Sequence, residues 1–132
     1  MIDVFTDGAS SGHPGISGAG IYIIAADHTK KHAIPLASMT NHEAEFHAVI
    51  LALDICINNY PNEIISLQSD SQLVIDAIEK KFVKNTRYRA LLKNIMENAA
   101  HFPYVFPKWI PAKQNYHADR LAKQAIQQQK DR

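Results

Sequence analysis

The stretch Ile2-Asp3-Val4-Phe5-Thr6-Asp7-Gly8 decides the fold, because an apolar strand, Ile2–Thr6, runs straight into a carboxylate. Three further carboxylates stand in similarly awkward places. Glu45 lies in the first turns of an almost wholly apolar helix, Asp70 follows a second apolar strand, and Asp119 stands beside the apolar stripe of the last helix. Buried carboxylates that converge repel strongly unless divalent metal neutralises them. Oxygen-only ligands suit Mg²⁺ or Mn²⁺ rather than Zn²⁺, so the pattern predicts a metal-dependent phosphoryl-transfer site.

The N-terminal part of the chain predicts an antiparallel meander. After the first strand, Gly8–Gly15 contains glycines, serines and a proline, which predicts a loop. Gly18–Ala26 is rich in isoleucine and predicts a second strand. Lys31–Ala37 alternates moderately between apolar and polar residues and predicts a third strand, joined to the second by a short turn.

The rest of the chain predicts helices from apolar residues at helical spacing and strands from short apolar runs. In order these are a helix Glu43–Asn58, a strand Glu63–Ser69, helices Ser71–Glu79 and Arg89–Ala100, a strand Tyr104–Ile110, a last helix capped by Asn115, and a fraying tail Gln127–Arg132. Pro107 predicts an edge position for the fifth strand, because proline cannot donate to a ladder. The order βββαβααβα predicts one α/β domain over residues 1–132, with a mixed sheet and helices on both faces.

Composition bounds the class of protein. A hydrophobic fraction of 46% in 132 residues is enough for a packed core and argues against disorder. The net charge of +1 does not indicate a strongly basic nucleic-acid binder, but it allows a binder with a local basic patch. Cys56 is the single cysteine, so no disulfide can form within the chain, as is usual in a reducing cytosol. We see no signal-peptide pattern and no membrane-length apolar run, and therefore expect a soluble, cytoplasmic protein that is a monomer by default.

Four motifs carry a resemblance to a known family. They are Phe5-Thr6-Asp7-Gly8-Ala9, Asn41-His42-Glu43-Ala44-Glu45, Ser69-Asp70-Ser71-Gln72-Leu73-Val74 and Asn115-Tyr116-His117-Ala118-Asp119-Arg120-Leu121-Ala122. In this order and spacing the chain resembles the type 1 ribonuclease H family from Asp3 to Ala125. The resemblance implies a five-stranded mixed sheet of order 3-2-1-4-5. It assigns metal binding and catalysis to the four carboxylates, with Glu45 rather than Glu43 at the family position: Asp7, Glu45, Asp70 and Asp119.

The resemblance also implies an activity. Members of this family hydrolyse the RNA strand of RNA/DNA hybrids and leave 5′-phosphate and 3′-hydroxyl ends. The implied cofactor is Mg²⁺, two ions per site, with Mn²⁺ as a substitute. In such a mechanism one ion supplies an in-line hydroxide, the other stabilises the leaving 3′-oxygen, and Asp7 has the bridging position.

Substrate contacts follow from the same resemblance. The 2′-hydroxyl distinguishes RNA from DNA, and the family reads it in the minor groove with amide side chains and loop backbone. Thr40 corresponds to a contact with a DNA phosphate, and His13 and His42 replace two family asparagines but can still donate to phosphate. The groove-reading positions are Gly8, Ala9, Ser10, Asn41 and Gln72.

Two features of many family members are missing here. The segment Lys108–Gln114 runs almost directly into the last helix, without the flexible loop that carries a histidine. The basic protrusion is absent as well. A short run of cations remains, which reads either as a phosphate-binding patch or as a solvated face: Lys80, Lys81, Lys84, Arg87 and Arg89. We expect weak hybrid binding with marked salt sensitivity.

Three alternative functions fit the sequence less well than the nuclease. A catalytically weak or inactive hybrid-binding module of the same fold is favoured by the replaced asparagines and the missing histidine. The four carboxylates oppose it, because a binder gains nothing from negative charge near phosphates. A nucleotide phosphate loop at Gly8–Gly20 lacks both the Gly-Lys-Ser/Thr ending and the Gly-x-Gly-x-x-Gly spacing. A Ser/His/Asp hydrolase lacks a nucleophile elbow at Ser10 or Ser11.

Overall fold

The computed structural model describes the whole chain, Met1–Arg132. Its elements follow the predicted order. The strands are β1 (Ile2–Ser10), β2 (Gly15–Ile24), β3 (Thr29–Met39), β4 (Ile65–Ser69) and β5 (Val105–Trp109). The helices are α1 (Asn41–Asn59), α2 (Gln72–Lys80), α3 (Arg89–Ala99) and α4 (Tyr116–Lys130), with short 3₁₀ turns at Thr86–Tyr88 and Ala112–Gln114.

One mixed sheet has the strand order β3-β2-β1-β4-β5. The first three strands pair antiparallel, and β4 and β5 add parallel to β1. This confirms the predicted order 3-2-1-4-5. It also confirms the edge position of Pro107, because β5 pairs only with β4.

Helices cover both faces of the sheet, as predicted. The alternating burial of β1 sends Ile2, Val4 and Thr6 to one face, where the main core forms with α1, α2 and α3. The opposite face is covered by α4, which packs on β2, β1 and β3 and leaves β4 and β5 open. No helix combines the length and the hydrophobicity that crossing a membrane requires.

Three local expectations were wrong. The predicted loop from Gly8 is strand as far as Ser10, because Ser10 pairs with Ser17 and its hydroxyl donates to the Met39 carbonyl. Helix α1 begins at Asn41 rather than Glu43. The tail does not fray at 127, because α4 continues to Lys130 and Gln129 donates to the Ser17 carbonyl at 2.6 Å.

Candidate active site

Strand register brings Asp7 and Asp70 to the same edge of the sheet. The parallel pairing of β1 with β4 ends at Thr6 opposite Ser69, so Asp7 and Asp70 are the next residues on each strand. The sequence predicted that the first strand ends before Asp7. In the structure Asp7 lies inside β1, where it pairs with Gly20 of β2. The two carboxylates therefore emerge where the shorter strand stops, the usual site position in an α/β sheet.

Two glycines beside Asp7 let two helices approach it. A Cβ atom on Gly8 would lie 2.1 Å from the Ala44 carbonyl oxygen, so α1 lies directly against the strand backbone at the residue before Glu45. A Cβ on Gly20, which pairs with Asp7, would lie 1.9 Å from the Ala118 carbonyl oxygen. Helix α4 therefore touches β2 at the residue before Asp119. Because Gly8 and Gly20 have no Cβ atom, the two helices can approach closely enough to place Glu45 and Asp119 near Asp7.

Asp70 is held by residues from the C-terminal part of the chain. The Asn115 side-chain amide donates to the Asp70 Oδ1 atom at 2.7 Å and to the Thr6 carbonyl at 2.8 Å. The Trp109 indole donates to the Asp70 backbone carbonyl at 3.1 Å. Asn115 was predicted to cap the last helix, but its side chain makes no cap bond. A hydrogen bond from the amide to a carboxylate is stronger than a bond between neutral groups at a helix cap.

Glu45 is tied to the start of α2. The Ser71 hydroxyl donates to the Glu45 Oε2 atom at 2.7 Å and accepts from the Val74 backbone N–H as the cap of α2. His42 Nδ1 lies 3.3 Å from the same oxygen. Glu43 has a structural role instead, because it forms a capping box with Thr40 at the start of α1. The two glutamates of this helix are thus separated by function.

Asp119 lies in the first turn of α4, where its backbone N–H donates to the Asn115 carbonyl. Its carboxylate forms an ion pair with Lys123 Nζ at 3.0 Å, one helical turn further on. This pair is largely open to solvent, so it contributes little to stability.

The electrostatics of Asp7 show that the four carboxylates converge. Burial is the largest cause that raises the pKa of the Asp7 carboxyl to about 8. The pKa value of about 8 also includes the repulsion from three other carboxylates, in decreasing order Asp70, Asp119 and Glu45, and a hydrogen bond with Asp119. In the absence of a cation Asp7 therefore holds a proton through neutral pH.

The donor set suits a hard divalent cation. All four side chains offer carboxylate oxygen, and a bound cation would relieve the repulsion that raises the Asp7 pKa. With the side chains as they stand, no group of three or more His, Cys, Asp or Glu residues forms a set that could hold an ion. Strand register and the contacts of α1 and α4 with Gly8 and Gly20 nevertheless bring the four residues to one end of the sheet.

Several of the predicted substrate-binding residues already have partners within the chain. The Asn41 Oδ1 atom accepts from the Ser10 backbone N–H at 2.7 Å, which leaves its NH₂ group without a partner in the chain. The Gln72 amide donates to Asp76 at 2.8 Å on the exposed surface of α2. Thr40 caps α1, so its hydroxyl has a structural role whatever else it binds.

The other predicted contacts lie along the first hairpin and at the start of α1. Gly8, Ala9 and Ser10 follow Asp7 on β1. His13 is exposed at the hairpin tip, while His42 lies beside Glu45 and meets the Tyr88 ring edge-on. The two histidines that replace family asparagines are therefore in different settings, one free at a loop and one against a carboxylate.

Sequence reasoning missed the residues that support the carboxylates. Asn115 and Ser71 were seen only as helix caps or motif letters, and Trp109 only as part of a strand. Their partners lie 109, 26 and 39 residues away in sequence, so no local pattern reveals them. The one available signal was that Ser71 and Asn115 stand inside the same motifs as Asp70 and Asp119.

Comparison with known proteins agrees with this fold. A family model described as RNase H matches residues 1–127. The protein EbsB of Enterococcus faecalis is 38% identical over 128 residues, which are 96% of this chain and 95% of that protein. RNase H1 of Halobacterium salinarum superposes with a TM-score of 0.90 at 27% identity, over 96% of this chain and 98% of that one.

A further neighbour was solved with nucleic acid. LC11-RNase H1, in complex with an RNA/DNA hybrid, matches with a TM-score of 0.87 at 25% identity, over 97% of this chain and 98% of that chain. Sheet order, helix placement and the family match from residue 1 to residue 127 all agree. The chain belongs to the ribonuclease H family.

Proposed function

We propose that this protein is a metal-dependent endonuclease that hydrolyses the RNA strand of RNA/DNA hybrids, leaving 5′-phosphate and 3′-hydroxyl ends. The observation that carries the proposal is the buried carboxyl of Asp7, whose pKa is raised to about 8 by burial and by three neighbouring carboxylates. Such a concentration of negative charge opposes phosphate binding unless cations join it. The hybrid bound by LC11-RNase H1 supports the choice of substrate.

Mg²⁺, with Mn²⁺ as a substitute, would be held by Asp7, Glu45, Asp70 and Asp119, and two such ions would supply an activated water and stabilise the leaving oxygen. The chain itself supplies positioning. Ser71 fixes one oxygen of Glu45, and Asn115 fixes one oxygen of Asp70, which leaves the second oxygen of each carboxylate available. Asp7 gives up its proton when the site takes up positive charge.

Hybrid recognition would use the surface beside these carboxylates. The free NH₂ group of Asn41 and the backbone of Gly8, Ala9 and Ser10 are placed to reach 2′-hydroxyl groups. Gln72 would exchange its bond with Asp76 for a base edge, at small cost because that pair is exposed. We propose action as a monomer in the cytoplasm, where the buried thiol of Cys56 stays reduced.

A second candidate is a catalytically weak or inactive module that binds hybrids. The observation in its favour is that two of the four carboxylates already have a basic partner in the chain, His42 beside Glu45 and Lys123 beside Asp119. Both partners are exposed, so a divalent cation can displace them at little cost. This is why we favour the nuclease.

A substrate panel tests the proposal. End-labelled RNA/DNA hybrid, RNA duplex, DNA duplex and single-stranded RNA are incubated with Mg²⁺ and then Mn²⁺. We expect cutting of the RNA strand of the hybrid alone, its loss in Asp70→Asn, and its retention in Asp54→Asn, the same change at an exposed carboxylate of α1. Folded protein that binds hybrid but cuts no substrate with either metal would instead establish the binding module.

A further inference from the structure

A groove lies on the face of the sheet that carries α4, outside the carboxylate site. It consists of two adjoining hollows of about 210 and 270 Å³ that share His117. The first lies between Phe5, Tyr22, Asn115 and His117, and the second continues past Tyr116 to Lys31 and Arg120. We call this surface the α4 groove. Each hollow is smaller than the ~300–1,000 Å³ pockets of drug-sized ligands, so it suits single planar groups.

Strand register forms a row of side chains through the groove. Lys31 of β3 pairs with Tyr22 of β2, which pairs with Phe5 of β1. Phe5 pairs in turn with Gln68 of β4, and Gln68 with Lys108 of β5. Paired residues on neighbouring strands point to the same face. The row therefore has a lysine at each end and aromatic rings and an amide between them.

Aromatic rings in the groove are arranged as a stacking surface. The rings of Tyr22 and His117 stack at 4.3 Å with planes 25° apart. Tyr116 meets His117 edge-on at 5.5 Å, and Phe5 lies 6.0 Å from Tyr22. Both Tyr116 and His117 are exposed. Exposed stacked rings are the means by which proteins hold unpaired bases, whatever the base sequence.

The charges of the groove favour a polyanion. Lys31, Lys108 and Arg120 form no ion pair with any carboxylate of the chain. Arg120 instead lies over the Tyr116 ring, 5.4 Å from its centre. No carboxylate lines either hollow, although Asp3 and Asp7 lie on the same face, two residues before and two residues after Phe5. Cations without a carboxylate partner at the ends of a row of rings match the phosphates and bases of a single strand.

The groove adjoins the carboxylate site through one residue. Asn115 lines the first hollow, and its amide holds Asp70. The groove and the carboxylate site therefore meet at Asn115. We propose that the α4 groove binds a single-stranded nucleic-acid segment that continues from the hybrid. The link to the hybrid rests on the proposed function; binding of the single strand does not.

A direct binding assay tests single-strand binding by the α4 groove independently of hybrid cleavage. A labelled single-stranded oligonucleotide, as RNA and as DNA, is titrated in EDTA, where no cleavage can occur. We expect Lys31→Gln/Arg120→Gln to weaken binding and to lower the salt slope by about 1.4, since each phosphate contact to a single strand contributes about 0.7. The control is Lys30→Gln/Lys93→Gln, because Lys30 pairs with buried Ile23 and so lies on the opposite face. Equal effects of both pairs, or no binding, would overturn the proposal.

Stacking is tested at His117. Substituting His117→Ala should weaken single-strand binding about fivefold or more, the effect expected for loss of one stacked base. His117→Phe keeps a planar ring and should restore it. A loss that His117→Phe does not restore would count against stacking. Sedimentation showing a dimer that Lys31→Gln/Arg120→Gln dissociates would assign the groove to a second copy and overturn the proposal.

The link to the hybrid is tested with substrate shape. The wild type should bind hybrids with a single-stranded tail more tightly than blunt hybrids. The Lys31→Gln/Arg120→Gln variant should bind tailed and blunt hybrids equally, and it should cleave blunt hybrid as the wild type does. If no hybrid is cut but tails still bind in EDTA, the proposed function fails and the groove stands. If blunt and tailed hybrids bind alike while cleavage is normal, the groove proposal fails alone.

Discussion

Asn115 shows how much one side chain can do for a site. It is 1% exposed, and its amide nitrogen donates both to β1 and to the Asp70 carboxylate. Its own carbonyl oxygen, Oδ1, has no partner although it is buried. A buried orphan acceptor costs about 1–3 kcal/mol, so the residue serves the orientation of Asp70 at some expense of stability.

We expect Asn115→Ala to impair cleavage more than folding. The change removes a charge-assisted bond, worth about 1.5–3 kcal/mol, but also removes the orphan oxygen, so the net loss in free energy of unfolding is smaller. The measurements are kcat with hybrid and the urea midpoint. Asn98→Ala is the matched control, because Asn98 likewise bridges a carbonyl, Ile50, and a carboxylate, Asp54, away from the site. Equal loss of kcat in both variants would contradict this role.

The raised pKa of Asp7 predicts that the metal-free protein loses stability as pH rises. The ordinary value is 3.8, whereas the folded value is about 8. Between them the folded state holds the proton and the unfolded state does not, so the free energy of unfolding falls by at most about 1.4 kcal/mol per pH unit. Urea midpoints in EDTA should therefore be lower at pH 8 than at pH 5. Asp7→Asn should lack this slope; the same slope in both proteins would refute it.

At the scale of elements, the site is assembled by contacts between helix and strand backbones. Helix α1 lies against Gly8 and helix α4 against Gly20, the two positions that flank Asp7 along and across the sheet. Each helix contributes its carboxylate at the residue after the contact, Glu45 after Ala44 and Asp119 after Ala118. The absence of a Cβ at both glycines thus sets the distance between the carboxylates.

We expect Gly20→Ala to displace α4 and with it Asp119. The new methyl group would meet the Ala118 carbonyl oxygen at 1.9 Å, and backbone cannot move aside as a side chain can. Overpacking of this kind costs about 1–3 kcal/mol. Thermal unfolding and kcat should both fall, whereas Ile16→Ala, a change at an exposed side chain of the same strand, should alter neither. Normal activity in Gly20→Ala would contradict the proposed helix contact.

Sequence patterns were sufficient for the order and type of the elements and for the helices on both faces, whereas the strand order followed from the family resemblance. They failed where distant contacts override local preference. Gly8–Ser10 has turn-forming composition, yet its pairing with β2 makes it strand. Asn115 has cap propensity, yet Asp70, 45 residues earlier, takes its amide. The roles of the four carboxylates in binding metal and substrate stay predictions, which only solution measurements can test.

At the scale of the whole molecule, affinity for a hybrid must come from local patches, because the net charge is only +1. Within the basic run after α2, Arg89 is engaged, since its guanidinium donates to the carbonyls of Val83 and Lys84. The lysines of this run are exposed. With Arg87, which is also exposed, they are the cations available for phosphate: Lys80, Lys81 and Lys84.

We expect hybrid binding to be weak and strongly dependent on salt. Replacing the three lysines by glutamine in an Asp70→Asn background should lower the slope of log affinity against log salt by about 2.7, since each phosphate contact contributes about 0.9. The readout is anisotropy of a labelled hybrid. Lys93→Gln, on α3, is the control. A wild-type affinity that does not change with salt would contradict the expectation.

The most direct test of the account is the dependence of hybrid cleavage on Mg²⁺ concentration in the wild type and in Asp7→Asn. The account predicts a rate that saturates with Mg²⁺, is zero in EDTA and is lost in the variant at every concentration, although the variant is folded and more stable than the wild type at pH 8 without metal. Cleavage of the RNA strand that persists in EDTA, or that Asp7→Asn retains, would contradict the claim that these carboxylates form a metal-dependent nuclease site.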